Sequence, residues 1–234
     1  MHIHKNTLPE THYIRGSMLL LAAMLVLVAC RPAVSTLQGR SIEQARELIL
    51  AYLHDQKPDL ADSFSIDIEE RPLKNAWELL QVQIFTVTGE SFDRETFLLH
   101  DGEVIQLGSA IGGSGVNSLE VSDLDQDGSA ELVFTYSFGS GIHQSWIGIY
   151  APAYDPHGTF SANFIYLGDI VLVKDKAAEV QVQIAASDTV AQKTGQQEIL
   201  GQLTLTQNMR QPVFTLETRS GLPQEIEQNL LPID

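Results

Sequence analysis

Cysteine is the scarcest reactive residue in this chain: Cys30 is the only one in 234 residues. A disulfide framework is therefore excluded, and so is any C-x-x-C pair. Basic residues are few as well, with 14 Lys and Arg against 30 Asp and Glu and a formal net charge of −16. A chain so acidic is a poor partner for nucleic acid, which is not expected here. No segment repeats at a fixed period, and no H-E-x-x-H motif occurs. The longest apolar run, Met18 to Ala29, is shorter than the ~20 residues that a membrane-spanning helix needs.

That run has the flanks of an export signal. Lys5 and Arg15 precede "MLLLAAMLVLVA", which stops at Cys30, so residues 1–29 read as a signal peptide. "LVAC", Leu27 to Cys30, resembles the lipobox of bacterial lipoproteins. The resemblance implies cleavage before Cys30, a diacylglycerol on its sulfur, and an extracytoplasmic protein held to the membrane by lipid. Two acyl chains are enough for stable anchoring. A lone cysteine in an exported chain then has a use. Residues 30–40, "CRPAVSTLQGR", read as a short tether.

Beyond the tether, residues 41–234 offer ample chain for one main domain. "SIEQARELILAYLHDQKP" puts Ile42, Ala45, Leu48, Ile49, Tyr52 and Leu53 on one stripe, so 41–56 is expected to be an amphipathic helix. Ser41 and Gln44 form its capping box, and Pro58 stops it. From about Phe64 the period changes to alternation, with strands expected in "FSIDIE", "WELLQVQIFTV", "ETFLLH", "EVIQLG", "ELVFTYSF", "SWIGIYAP", "FIYLGDIVLVK", "AEVQVQIAA", "ILGQLTLTQ" and "PVFTLET". "HDGE", from His100, carries the Asp-Gly pair of a two-residue hairpin turn. The fold class expected is mainly β, an antiparallel sheet, sandwich or curved sheet with one N-terminal helix. The stretch from Ile170 onward is expected to be a meander on the same sheet, with a separate small domain as the alternative, although no Pro- or Ser-rich linker marks a boundary.

Four acids crowd "VSDLDQDGSAELVF". In a strand, Asp123, Asp125 and Asp127 would share a face at ~6.6 Å spacing, too far apart for one ion and close enough to repel. A backbone curl that converges them on a cation removes the conflict. Gly128 stands at the sixth position, where a calcium loop turns sharply. Ser129 at seven offers a carbonyl and Glu131 stands at nine, so the loop 123–131 is a candidate Ca²⁺ site with an all-oxygen shell. Position twelve is Phe134 rather than the closing glutamate of an EF-hand.

This segment resembles the D-x-D-x-D-G loops of FG-GAP and VCBS repeats in integrin-type β-propellers. The resemblance implies that Asp123, Asp125, Asp127, the Ser129 carbonyl and Glu131 coordinate the ion. Propellers carry several such loops and this chain carries one, so a full propeller is not expected. "YSFGSGIH", Tyr136 to His143, is similar to a segment that follows such loops in lipoproteins of Gram-positive bacteria, and implies no activity.

"GGSGV", Gly112 to Val116, fails the G-x-S-x-G pattern of a nucleophile elbow. His143 lies next to the acidic loop in sequence and is the centre of the alternative expectation, an envelope hydrolase. Tyr136, Phe138, His143 and Trp146 also make a candidate ligand surface for a glycan or an envelope protein. The function expected is a calcium-stabilised binding or assembly module of the cell envelope.

Overall fold

The computed structural model describes residues 39–56, 65–89, 92–108, 115–141, 143–208 and 211–233. The expected signal peptide, Cys30 and most of the tether lie outside them, as does Pro58. Residues 39–234 form one compact unit.

The unit is mainly β. Helix α1 (Ile42–Gln56) opens it. Its capping box is made: the Ser41 amide donates to Gln44 Oε1 at 3.0 Å and the Gln44 amide donates to Ser41 Oγ at 3.3 Å. Ala45, Ile49 and Leu53 are buried, whereas Ile42, expected on the same stripe, is exposed at the first turn.

Three antiparallel sheets follow. The first is a meander of β1 (Ile66–Glu70), β2 (Gln83–Gly89), β3 (Phe92–His100) and β4 (Glu103–Gln106), with short helix α2 (Ala76–Leu80) inserted before β2. The second holds β5 (Gly115–Ser122), β6 (Glu131–Phe138), β7 (Gln144–Tyr150), β8 (Phe160–Ser161) and β9 (Phe164–Leu167), with the C-terminal β14 (Leu230–Pro232) on β9. The third is a meander of β10 (Ile170–Lys174), β11 (Val180–Ile184), β12 (Ile199–Asn208) and β13 (Gln211–Thr218). Helix α3 (Thr189–Thr194) joins β11 to β12, and α4 (Gln224–Glu227) precedes β14.

Alternation along the strands builds three cores and stacks the layers. Helix α1 packs on Phe85, Val87, Phe97 and Leu99 of the first sheet. The opposite face of that sheet, with Ile84 and Leu98, meets Leu119, Val121, Leu132 and Phe134 of the second. Val133, Ile147 and Ile149 then turn the other way, onto Leu172, Val182, Leu203 and Phe214 of the third. Residues 131–135 of β6 are accordingly buried on both faces. Antiparallel sheets usually leave one face to water, but here the middle sheet is covered on both sides for much of its length.

Polar ties cross the layers. Arg71 donates to Val116 O and Asn117 O at 3.0 and 3.2 Å, and the Leu172 amide donates to Ser118 Oγ at 2.8 Å. At the β3–β4 turn, Asp101 and Gly102 both have positive φ (52° and 92°) between the paired His100 and Glu103, as expected for Asp-Gly.

Several expectations are corrected. "WELLQVQIFTV" is not one strand: Asn75 and Gln81, both left-handed, bracket α2, and β2 begins only at Gln83. "FIYLGDIVLVK" is two strands, β9 and β10, broken at Gly168 (φ 142°) and belonging to different sheets. The meander from Ile170 is a sheet of its own rather than an extension of the preceding one. Among the described residues neither a closed barrel nor a propeller is formed, and a full propeller is not expected from the sequence.

Candidate functional site

The β5–β6 hairpin ends in the acidic loop. Ser122 pairs with Glu131 at its base, and the intervening backbone curls through two left-handed residues, Gln126 (φ 60°) and Gly128 (φ 92°). A Cβ on Gly128 would meet nothing within 4 Å. The glycine therefore serves backbone conformation and not space.

The curl turns amides inward onto carboxylates. Asp123 accepts from the Asp127 amide at 3.1 Å and from the Gly128 amide at 3.0 Å. Asp125 Oδ1 accepts from the Asp127 amide at 3.3 Å, and Asp127 Oδ1 accepts from the Ser129 amide at 2.7 Å. The loop brings carboxylate oxygens of Asp123, Asp125 and Glu131 within 4.8 Å of one another. Asp127 is not in that group and lies exposed on the Ser129 side. Leu124, between the acids, packs against the core shared with the third sheet.

Glu131 is the unusual member. It is 1% exposed. Its Oε2 accepts from the Leu124 amide at 2.9 Å, while its Oε1 is buried with no hydrogen-bond partner among the described residues. Burial pushes its carboxyl up to about 7, opposed by the Leu124 hydrogen bond and reinforced by the charges of Asp125, Asp123 and Asp127. A buried carboxylate oxygen without a partner costs on the order of several kcal/mol unless a proton or a cation satisfies it.

Tyr154 also reaches the loop, from the segment after β7, donating to Asp125 Oδ2 at 2.8 Å. Nothing in the sequence pattern singles it out. The pairing joins residues 29 positions apart through tertiary packing.

Among the aromatic candidates, Tyr136, Phe138 and Trp146 come together. Tyr136 and Trp146 are direct cross-strand partners on β6 and β7. They line one groove with Phe134, floored by Gly108 and Gly148 and edged by Gln106, Thr159 and Ser161. A Cβ on Gly148 would lie 2.1 Å from Phe134 Cζ, and one on Gly108 would lie 2.5 Å from Tyr136 Cγ. The two glycines allow these rings to lie down on the strands.

His143 does not join them. It stands in the turn after β6, a strand-length of roughly 25 Å from the acidic loop that precedes β6. Its Nδ1 is 3.5 Å from Asp169 Oδ1 in a separate cavity that also includes Asp188 and Lys193. Ser145, the serine beside it in β7, is buried and donates Oγ to Gly168 O at 2.5 Å. Comparison with protein-family models, with characterised proteins and with solved structures returns nothing that matches this chain.

Proposed function

We propose that this chain is a calcium-braced binding module of the bacterial cell envelope, exported and held at the membrane by lipid on Cys30. The observation that carries the calcium part is Glu131 Oε1, buried and without a partner among the described residues, beside the oxygens of Asp123 and Asp125. A hard cation supplies what that oxygen lacks and cancels the repulsion among the acids. The donors are all oxygen, which favours Ca²⁺ over softer metals. Asp127 joins the shell after a side-chain rotation away from the Ser129 amide, and Ser129 contributes its carbonyl. The bound ion pins the β5–β6 hairpin in the middle sheet, between the other two, so its role is to hold the binding face in shape.

Support for the location is the lipobox-like "LVAC" and the export signal before it. Among the described residues no helix is long and apolar enough to cross a membrane. The binding role is supported by the aromatic groove on the same sheet. The hydrolase alternative has the His143–Asp169 pair in its favour, but the adjacent serine hydroxyl is committed to a backbone carbonyl.

Thermal melts of the soluble domain in calcium and in chelator test the metal. Saturation at 100 times Kd contributes about 2.7 kcal/mol, a rise of ~5–10 °C for a domain of this size. Identical melts overturn the calcium assignment. Fatty-acid labelling that is the same in wild type and Cys30→Ala overturns the anchor.

A further inference from the structure

The first sheet covers only part of the face that the middle sheet turns toward it. Leu132 and Phe134 are buried in the shared core. Further along the same face, Tyr136, Phe138 and Trp146 remain half-buried. Their rings continue from Phe134 as a near-parallel row: Phe134 to Tyr136 at 5.9 Å and 32°, Tyr136 to Phe138 at 6.3 Å and 21°, Phe138 to Trp146 at 5.9 Å and 30°. The groove beside this row has a volume of about 790 Å³, inside the ~300–1,000 Å³ usual for small-ligand sites.

Its polar groups are neutral. Gln106, Ser140, Thr159 and Ser161 stand at the edges, with the Ser161 side chain beside the Tyr136 hydroxyl. The Trp146 Nε1–H is buried and has no acceptor among the described residues. In a chain of net charge −16, no Asp, Glu, Lys, Arg or His among the described residues lines the groove.

We propose that this groove binds a neutral carbohydrate, which names the ligand class for the binding-module reading on which it rests. A pyranose ring has an apolar face of C–H groups that lies on flat aromatic rings, and a rim of hydroxyls that donate and accept. The face matches the ring row, and the rim supplies partners for the hydroxyl and amide edge. An anionic polymer meets no lining cation and is repelled by the chain's charge. An acyl chain leaves the edge of hydroxyls and the Gln106 amide without partners. A peptide brings obligate backbone donors and acceptors, more than the four neutral polar side chains Gln106, Ser140, Thr159 and Ser161 can match.

Isothermal titration of the domain in calcium tests this, using chitotetraose, cellotetraose, maltotetraose, xylotetraose and mannotetraose, with decanoate and a Leu/Phe-rich peptide as the other arms. Saturable binding of at least one oligosaccharide is expected. Trp146→Ala, which removes one ring of the row, is expected to weaken it about tenfold, and Tyr136→Ala at least as much. Binding that is unchanged in both variants overturns the proposal, as does binding of decanoate or peptide with no sugar bound. No sugar binding by a protein that still melts higher in calcium overturns the carbohydrate assignment alone, whereas loss of both responses overturns the calcium-braced module beneath it.

Discussion

Tyr154 Oη donates a 2.8 Å hydrogen bond to Asp125 Oδ2, tying the segment after β7 to the acidic turn between β5 and β6. That segment is itself held, since the Tyr154 and Asp155 amides donate to Ala151 O at 2.9 and 3.0 Å and Tyr150 Oη donates to Pro156 O at 3.1 Å. The phenol therefore sets the orientation of one carboxylate before any ion arrives. Such outer contacts typically change metal affinity 10–100-fold. Tyr154→Phe is expected to weaken calcium binding about tenfold by calorimetry, with little change in the melt in chelator; unchanged affinity would show that Asp125 is oriented by the loop amides alone.

The Glu131 carboxyl gives the metal-free protein a pH dependence with a definite sign. Its value rises from 4.5 unfolded to about 7 folded, through burial first and then its acidic neighbours. Between those values the folded state keeps a proton that the unfolded chain has released, so stability falls as pH rises through that window. The fall is roughly 3 kcal/mol from Glu131 in the absence of ion. In chelator the melting temperature is expected to drop from pH 5 to pH 7.5, and in calcium, which holds the carboxylate ionised, this drop should disappear. Glu131→Gln should remove the drop in chelator and abolish the calcium response together. A flat profile for the chelated wild type would contradict the account.

Asp188 carries a different cluster. It is 5% exposed, and its Oδ1 accepts from the Val190 and Ala191 amides at 2.7 and 3.4 Å, capping α3. Its Oδ2 accepts from the Asp169 amide at 3.2 Å, across the break between β9 and β10. Asp188→Ala leaves these amides without their acceptor and is expected to cost about 2–3 kcal/mol in urea denaturation. Asp188→Asn retains an acceptor and should recover most of that; equal losses in the two variants would mean that the charge, and not the cap, matters.

What could be read from sequence was local. The Ser41–Gln44 box, the Asp-Gly turn after His100 and the 1-3-5 spacing of aspartates each depend on residues a few positions apart, so spacing alone specifies them. The alternation of Leu132, Val133 and Phe134 shows which residues share a face, but not that both faces are covered, because the covering sheets are built from distant segments. Helix α2, Ala76 to Leu80, is too short to show a period, and its left-handed brackets are Asn75 and Gln81, residues without the usual glycine signal. His143 looked adjacent to the acids because β6 is short in sequence, yet an extended strand carries its ends far apart. Tyr154 meets Asp125, and Asp188 meets the Asp169 amide, only through packing.

Gly148 links the fold to the groove. It pairs with Phe134 across β6 and β7, and a Cβ there would lie 2.1 Å from Phe134 Cζ and 2.4 Å from Cε2. Phe134 is 1% exposed and surrounded by Leu119, Leu132 and Tyr150, so its ring has no room to retreat into the core. The open direction is the groove, toward Tyr136, 5.9 Å away. Gly148→Ala is therefore expected to destabilise the domain by about 1–3 kcal/mol through overpacking and to disturb the ring row as well. Gly128→Ala is the contrasting variant: it meets nothing within 4 Å but has φ 92°, so its cost of about 1 kcal/mol is conformational and should leave the groove intact. Urea denaturation of both variants, alongside tetrasaccharide titration, separates the two causes, since only Gly148→Ala should lose ligand affinity in step with stability.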